Sequence, residues 1–220
     1  MKIIAFIPIR GGSKRIPLKN IKEINGKPLA WWVIDAACES NHIDEVIVAT
    51  DSGKIISGLG SIANPKIKVI TVQHMGHKCL QETVMLDYAE QNQFDYIVLL
   101  QATSPLTTAK DLDEAILKCV HDECNSLISV CRQKRFIWRT VKGFAKSITY
   151  SPRKRPREQD WDGLIIENGC FFITSREGLI NSGCRISGKV GLHEMHEDTY
   201  FQLDTPQDWW IVEKLLKKRN

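Results

Sequence analysis

No stretch of this 220-residue sequence approaches the roughly 18 to 20 consecutive apolar residues of a membrane span, which argues against an integral membrane protein. The early apolar run, Ile3 to Ile9, is too short for the core of a secretion signal. Arg10-Gly11-Gly12 stands where small cleavage-site residues would follow. The expected location is therefore the cytoplasm. The seven cysteines are odd in number, irregularly spaced and include no Cys-x-x-Cys pair, so a disulfide framework is not expected. The net charge of +4 is too small to argue for a nucleic-acid partner by itself. No internal repeat occurs. Neither common phosphate fingerprint is present: the P-loop needs four residues between its glycine and Gly-Lys-Ser/Thr, and the dinucleotide motif needs G-x-G-x-x-G.

What remains is ordinary in bulk and informative in arrangement. With 43% hydrophobic and 25% charged residues, the chain has the composition and length of one sizeable domain, or of one domain with a lobe. Its opening stretch runs from an Ile-rich segment through Gly11 and Gly12 into a loop carrying Arg10, Lys14, Arg15 and Lys19. A buried strand feeding a glycine-rich cationic loop points to a phosphate site at the carboxyl end of a sheet. The plain alternative is a basic surface loop after an edge strand.

The following segments alternate. A helix is expected over Leu29 to Ser40, a strand over Val46 to Thr50, a third strand over Ile67 to Ile70, and a helical pattern up to Gln91. A strand over Tyr96 to Leu100 precedes Gln101-Ala102-Thr103-Ser104-Pro105. Thr108 is placed to cap a helix from Ala109 to His121, with Asp111 completing a capping box, and a fifth strand follows over Ser126 to Val130. Such alternation implies βαβ units and a largely parallel sheet, whose site lies beyond the carboxyl strand ends. The loops at Arg10, Asp51 and Gln101 should then share one rim.

From about Gln133 to Gly163 the pattern turns polar, aromatic and basic, with the charge run Arg153 to Arg157, and reads as an excursion: a lid, a lobe or a dimer arm. Glu167 to Ile173 reads as a turn plus strand, and Tyr200 to Asp204 as a short strand ending in a carboxylate. Thr205 to Asp208 caps a last helix through Trp209 and Leu216. The rim would thus offer a phosphate cradle, an amide and hydroxyl cluster and the Asp204 carboxylate. Backbone amides, lysine and Mg²⁺ together would stabilise charge at an α-phosphate and on departing pyrophosphate, which points to nucleotidyl transfer.

Arg10-Gly11-Gly12-Ser13-Lys14 with Lys19-Asn20, Gln101-Ala-Thr-Ser-Pro-Leu106, Arg155-Pro-Arg157-x-Gln159-Asp160, Glu167-Asn168-Gly169 and Leu203-Asp204-Thr-Pro-x-Asp208-Trp209 resemble the CMP-sialic acid synthetases, in that family's order and over almost the whole chain. The resemblance implies a Rossmann-like three-layer α/β domain with a mostly parallel sheet, a homodimer, and Mg²⁺-dependent transfer of CMP from CTP to the anomeric hydroxyl of a nine-carbon keto-acid sugar. It implies that Arg10, Gly11, Gly12, Ser13, Lys14 and Lys19 hold the CTP phosphates, with Arg10, Lys19 and Asp204 catalytic and Asp204 binding Mg²⁺. Asn20 and Gln101 would contact the nucleoside; Thr103, Ser104, Arg157, Gln159 and Asn168 would serve the sugar. It further implies that the excursion packs on a second subunit, with residues near Arg139 reaching the neighbouring site. No membrane or nucleic-acid partner is expected.

Three departures from the family pattern stand out. Gln202 replaces the first carboxylate of an Asp-x-Asp pair, which favours a single Mg²⁺ on Asp204. Ile166 stands where many members have arginine, and Val72-Gln73-His74-Met75 stands where Arg-Pro is usual, so the sugar could instead be legionaminic, pseudaminic or octulosonic acid. Arg153, Arg155 and Lys78 are the cations available to compensate. Other readings weigh less. His74, His77 and Cys79 lack regular ligand spacing, and His193-x-x-His196 shares a face only if helical, which Gly188 and Gly191 oppose. Asp51 could approach a metal or cap the next turn. Arg153 to Arg157 could bind RNA in a protein that kept the fold without catalysis, but the run lacks aromatic interleaving.

Overall fold

Ile3–Pro8 (β1) is wholly buried, and its side chains alternate between two cores as the period of a strand demands. The computed structural model describes residues 1–60, 63–73 and 81–219. Ile3, Ala5 and Ile7 pack on one side with Ala30, Val33 and Ala37, and with Leu112, Ala115 and Ile116. Ile4 and Phe6 pack on the other with Val84, Met85, Ala89 and Leu179. Because helices cover both faces, the strand reads in sequence as a continuous apolar run rather than as an alternation.

After β1 come a two-residue ladder, Glu23–Ile24 (β2) with Lys27–Pro28 (β3), and the helix Leu29–Glu39 (α1). Then follow Glu45–Thr50 (β4), Gly53–Leu59 (α2), Ile67–Thr71 (β5), Gln81–Gln91 (α3), Tyr96–Leu100 (β6), Ala109–His121 (α4) and Ser126–Gln133 (β7). Trp138–Val141 (β8) and Phe144–Ser147 (β9) form a separate hairpin. The chain closes with Leu164–Ser175 (β10), Arg176–Ser182 (α5), Val190–Met195 (β11) and Pro206–Arg219 (α6).

The main sheet has seven strands in the order β11-β7-β10-β6-β1-β4-β5. β10 alone runs antiparallel to its neighbours; every other pairing is parallel. The fold class is therefore the Rossmann-like three-layer α/β arrangement expected, with α1 and α4 on one face and α3 and α5 on the other. The capping box of α4 is formed as expected: Asp111 N donates to Thr108 Oγ1 at 3.2 Å and Thr108 N to Asp111 Oδ2 at 2.9 Å.

Two expectations are corrected. Tyr200 to Asp204 is not a strand. Glu197–Tyr200 is a 3-10 turn, and the strand at that edge is β11, paired with β7 where the sequence suggested nothing regular. Leu203 turns away from the sheet into a third apolar cluster with Ile16, Ile24, Leu29, Leu106, Val212 and Leu216, a burial worth about 1.5–3 kcal/mol. Glu167-Asn168-Gly169 is not a turn before a strand but an irregularity inside β10, where the pairing shifts between Glu167 and Phe172.

Between Gln133 and Leu164, which pair with each other, the chain leaves the sheet. The β8–β9 hairpin turns through Lys142 and Gly143, both at positive φ (51° and 82°), as a tight two-residue turn requires. At its base Phe136 stacks on Trp161 with ring centroids 4.8 Å apart, and Arg155 lies 4.3 Å over Phe136.

At the β10 irregularity Gly169 has φ +62°, and a Cβ there would collide with Gln202 Nε2. Gly169→Ala is expected to destabilise the protein by about 1–3 kcal/mol, combining left-handed strain with loss of the Gln202 contact. Urea denaturation checks this; an unchanged midpoint contradicts it.

Candidate active site

The loops beyond β1, β4 and β6 meet at one rim. Ile9 N donates to Ala49 O at 2.7 Å, and Gly11 N donates to Asp51 Oδ1 at 2.9 Å, which ties the cationic loop to the end of β4. Gly11 is required by close approach rather than by unusual dihedrals: a Cβ there would meet Ser52 Cβ at 2.5 Å, and neither Gly11 nor Gly12 has positive φ. The left-handed residue of the loop is instead Leu18, at φ 50°, which turns the chain into the 3-10 helix Lys19–Ile21. Asn20 is buried and its Nδ2 donates to Arg10 O at 3.4 Å, so it braces the loop from beneath.

Lys19 closes the arrangement. Its Nζ donates to Leu203 O at 2.6 Å and to Asp204 Oδ1 at 2.9 Å, across most of the sequence. The Lys19 side chain is 12% exposed and that of Asp204 53%. With one partner half in water, the pair is worth at most about 1 kcal/mol, so its importance is positional. Leu203 N donates to Thr103 O at 2.9 Å, which joins the Gln101–Leu106 loop to the same segment. Asp208 steadies it from the start of α6: its Oδ2 accepts from Asp204 N (3.1 Å), Thr205 N (2.6 Å) and Thr205 Oγ1 (2.8 Å). Burial pushes the Asp208 carboxyl up, but the Thr205 hydroxyl, the two N–H groups and nearby Lys19 outweigh it and hold the group below its ordinary value.

Of the residues expected at the sugar end, Thr103 lies beside the Lys19 tie, whereas Asn168, Arg157 and Gln159 fall around a second region. Asn168 is buried: its Nδ2 donates to Thr199 Oγ1 at 2.8 Å and lies 3.2 Å from Met195 Sδ, and its backbone O accepts from Gln202 Nε2. Met195 lines a cleft of about 470 Å³ together with Arg132, Lys134, Arg135, Glu158 and His196. Arg157 and Gln159 flank Glu158, both exposed, with Arg157 Nε donating to Asp160 Oδ2 at 2.6 Å. Among the described residues no hydrogen bond or ion pair joins Arg157 or Gln159 to Lys19 or Asp204. Ser104 is buried beside Cys170, whose thiol burial pushes up to about 12. Ser13 and Lys14 lie on the loop between Gly12 and Leu18, Lys14 exposed and Ser13 half-buried.

Gln101 is held by residues the sequence did not flag. Its amide pairs with that of Gln81 through two hydrogen bonds, 3.0 and 2.9 Å, and Arg185 Nη1 donates to Gln81 Oε1 at 2.9 Å. Arg185 Nε in turn donates to Glu82 Oε1 at 2.5 Å, with both side chains 17% exposed. Arg185 is roughly a hundred residues from its partners, so only the fold could reveal it.

For a metal, the donors at the rim are carboxylates: Asp204 beside Lys19, and Asp51 on the Gly11 amide. No group of three or more His, Cys, Asp or Glu is placed to hold a metal among the described residues. His193 lies on β11, buried, 6.1 Å from the Phe171 ring, while His196 bonds Asp198 N beyond the strand end, so the two are not a pair. Its burial pushes the His193 imidazole below the usual value. His74, His77, Lys78 and Cys79 lie outside the described residues.

A doubly covered, mostly parallel sheet with a cationic loop, a lysine–carboxylate tie and a polar amide on one rim defines a three-layer α/β protein with a polar, charged site beyond its strand ends. Residues 4–197 match the family model described as Cytidylyltransferase, and the chain belongs to that family. It is 35% identical over 219 residues to N-acylneuraminate cytidylyltransferase A of Danio rerio, covering 96% of this chain and 50% of that protein. It is 26% identical to pseudaminic acid cytidylyltransferase of Campylobacter jejuni, covering 99% and 97% respectively. The chain thus spans about half the length of the curated N-acylneuraminate relatives it matches. The solved CMP:2-keto-3-deoxy-manno-octonic acid synthetase complexed with CTP superposes with a TM-score of 0.75 at 18% identity, over the full length of both chains, which shows a shared fold.

Because the Asp208 carboxyl is held below its unfolded value, its contribution is present above about pH 4 and is lost as pH falls through the lowered native value. Asp208→Ala is expected to cost about 1–2 kcal/mol at neutral pH, as loss of a helix cap does. The gap from the wild type should close as the solution is acidified below pH 4. Denaturant titrations of both proteins between pH 2 and pH 7 check this; a gap independent of pH contradicts it.

Proposed function

We propose that this protein transfers CMP from CTP to the anomeric hydroxyl of an N-acylneuraminate, forming CMP-sialic acid and pyrophosphate. The observation that carries the reading is the Lys19 ammonium held on Asp204 Oδ1 and Leu203 O at the mouth of the Gly11–Lys19 loop. The Danio rerio relative supports the choice of acceptor. The sugar's 2-hydroxyl oxygen attacks the α-phosphorus, the bond to the bridging oxygen of the β-phosphate breaks and pyrophosphate leaves, while the hydroxyl proton passes to water. Arg10, Ser13, Lys14 and the loop amides bind the triphosphate, and Lys19 opposes the charge that builds on the α-phosphate and leaving group. Asn20 fixes the loop that does this and Gln101 meets the cytosine, with Thr103 and Ser104 toward the sugar.

One carboxylate set against incoming phosphates suits Mg²⁺, which takes one or two carboxylates and completes its shell from phosphate oxygens and water. Asp204 would hold the ion, and Asp51, which accepts from Gly11 N on the same rim, is a second carboxylate candidate. When bound, Mg²⁺ supplies charge neutralisation on the triphosphate. Gln202 is turned onto Asn168 O and away from this role, which agrees with a single protein carboxylate from this segment.

The acceptor is assigned to the cleft at Met195, between the end of β7 and the excursion. Lys134 and Arg135 there offer positive charge to a sugar carboxylate, just beyond the end of the strand that pairs with Ile166. The excursion is assigned as a dimer arm. Its hairpin exposes Trp138, Val141, Phe144 and Ile148, with Phe144 at 79%, a larger apolar surface than a lone hairpin keeps in water. No helix among the described residues is long and apolar enough to cross a membrane. The reading puts the reaction in the cytoplasm, where its nucleotide substrate is found.

Pyrophosphate release from CTP and Mg²⁺ across a panel of N-acetylneuraminic, legionaminic, pseudaminic and octulosonic acids tests the reaction. Turnover with N-acetylneuraminic acid is expected to be fastest. Preference for pseudaminic acid would move the assignment to the Campylobacter jejuni type, and turnover with none would overturn it. Asp204→Asn is expected to lower kcat by about 10²–10³ while leaving the circular dichroism unchanged. Near-normal kcat would remove Asp204 from the chemistry.

A further inference from the structure

Two residues before Asp204, the side chain of Gln202 is spent on the sheet: its Nε2 donates to the backbone oxygen of Asn168. That oxygen lies outside the ladder. Asn168, Gly169 and Cys170 stand opposite no residue of β6 or β7, because the pairing with β7 breaks after Glu167 and β6 is joined only from Phe171. Asn168 is buried, so its carbonyl must find a donor elsewhere or remain unpaired at a cost. A carbonyl only accepts, and residue 202 must therefore present N–H to it.

Gly169 makes the contact possible in two ways. Its φ of +62° sets the direction of the peptide group that carries Asn168 O, and its missing side chain leaves the space that the Gln202 amide fills. The Asn168 side chain adds a second tie to the same segment. Thr199 Oγ1 donates to His196 O at 2.6 Å, which leaves its lone pair to accept from Asn168 Nδ2 at 2.8 Å. Asn168 Oδ1 then accepts from Cys170 N at 3.3 Å. Asn168 and Thr199 are both buried, so water does not compete for this tie.

The two ties hold the irregular chain between the 3-10 turn and α6. Further along it, Leu203 N donates to Thr103 O, Lys19 Nζ donates to Leu203 O and Asp204 Oδ1, and Asp204 N donates to Asp208 Oδ2. Those contacts reach Asp204 from loops and from the start of α6. Gln202 adds one from the sheet itself. Building on the assignment of Asp204 to Mg²⁺ and the triphosphate, we propose that Gln202 is a positioning residue, whose amide latches the Asp204 segment to the β10 irregularity and so presets the carboxylate for the metal–nucleotide complex. Residue 202 thus acts through Asp204 and is not a metal ligand of its own.

The test uses the full chain, with Mn²⁺ as a substitute for Mg²⁺, and measures CTP affinity by calorimetry with and without the metal. Gln202→Met keeps the length of the side chain and removes its donor. It is expected to reduce the gain in CTP affinity from Mn²⁺ about ten-fold, the worth of one hydrogen bond, and to leave metal-free CTP binding unchanged. Pyrophosphate release should show a lower kcat with an unaltered KM for N-acetylneuraminic acid. The amides of Leu203 and Asp204 should exchange hydrogen about ten-fold faster, and those of α4 at the wild-type rate. Gly169→Ala, which pushes the amide off the same oxygen, should reproduce the loss, and the double variant should be no worse than the more affected single one. Gln202→Glu adds a carboxylate but no donor, and its gain from Mn²⁺ should not exceed that of the wild type. Thermal melting checks folding, and if Gly169→Ala melts early the two Gln202 variants decide. Unchanged Mn²⁺ gain and exchange in folded Gln202→Met overturn the proposal, as do additive losses in a folded double variant. A larger Mn²⁺ gain in Gln202→Glu also overturns it, by making position 202 a ligand site. If the wild type gains nothing from Mn²⁺, the assignment of Asp204 fails, while exchange at Leu203 and Asp204 still decides the latch.

Discussion

Everything at the rim hangs on one long-range tie, the Lys19 ammonium between Leu203 O and Asp204 Oδ1. It joins the start of the 3-10 helix Lys19–Ile21, near the start of the chain, to the irregular segment just before the last helix. Leu203 is anchored below by an apolar cluster that includes Ile16 from the same cationic loop and Val212 from α6. The hydrophobic burial sets where the two segments meet, and the ion pair, worth little in stability, sets how they face. The left-handed Leu18 immediately before Lys19 is the local conformational cost of aiming that side chain inward.

Around this tie the polar groups fall into two layers. Arg10, Lys14, Asp204 and Gln101 lie on the loops beyond the strand ends. Residues behind them spend their hydrogen bonds on holding the others: Asn20 on Arg10, Asp51 on Gly11, Asp208 on Asp204, Gln81 on Gln101. A side chain whose donors and acceptors are already used on its neighbours acts by preorganisation, which lowers the cost of ordering a charged ligand.

Much of the fold was legible because the sheet is buried on both faces. Ile3 to Pro8, Val46 to Thr50, Tyr96 to Leu100 and Ser126 to Val130 stand out as apolar runs, and the spacers between them have helical patterning or caps such as Thr108 and Asp111. The edge was less legible. β11 is half exposed and carries Gly191 and two charged or titratable residues, so its alternation is weak, and it forms only because β7 offers an unpaired side. Tyr200 to Asp204 reads as extended because Phe201 and Leu203 alternate with polar residues, although the pattern serves a loop packed against α6. At the site, residues adjacent in sequence to a glycine or strand end could be picked out. Arg185 and Gln81 could not, since nothing local marks a residue whose partner lies across a sheet.

The excursion between Gln133 and Leu164 departs from β7 and returns on β10 at positions that pair with each other. Its two ends are therefore clamped side by side whatever lies between them. Lengthening, trimming or exchanging the hairpin leaves the register of the seven strands untouched, and the loop-closure cost grows only slowly with length. The hairpin can thus be rewritten in evolution or by design as a self-contained module on an unchanged seven-stranded sheet.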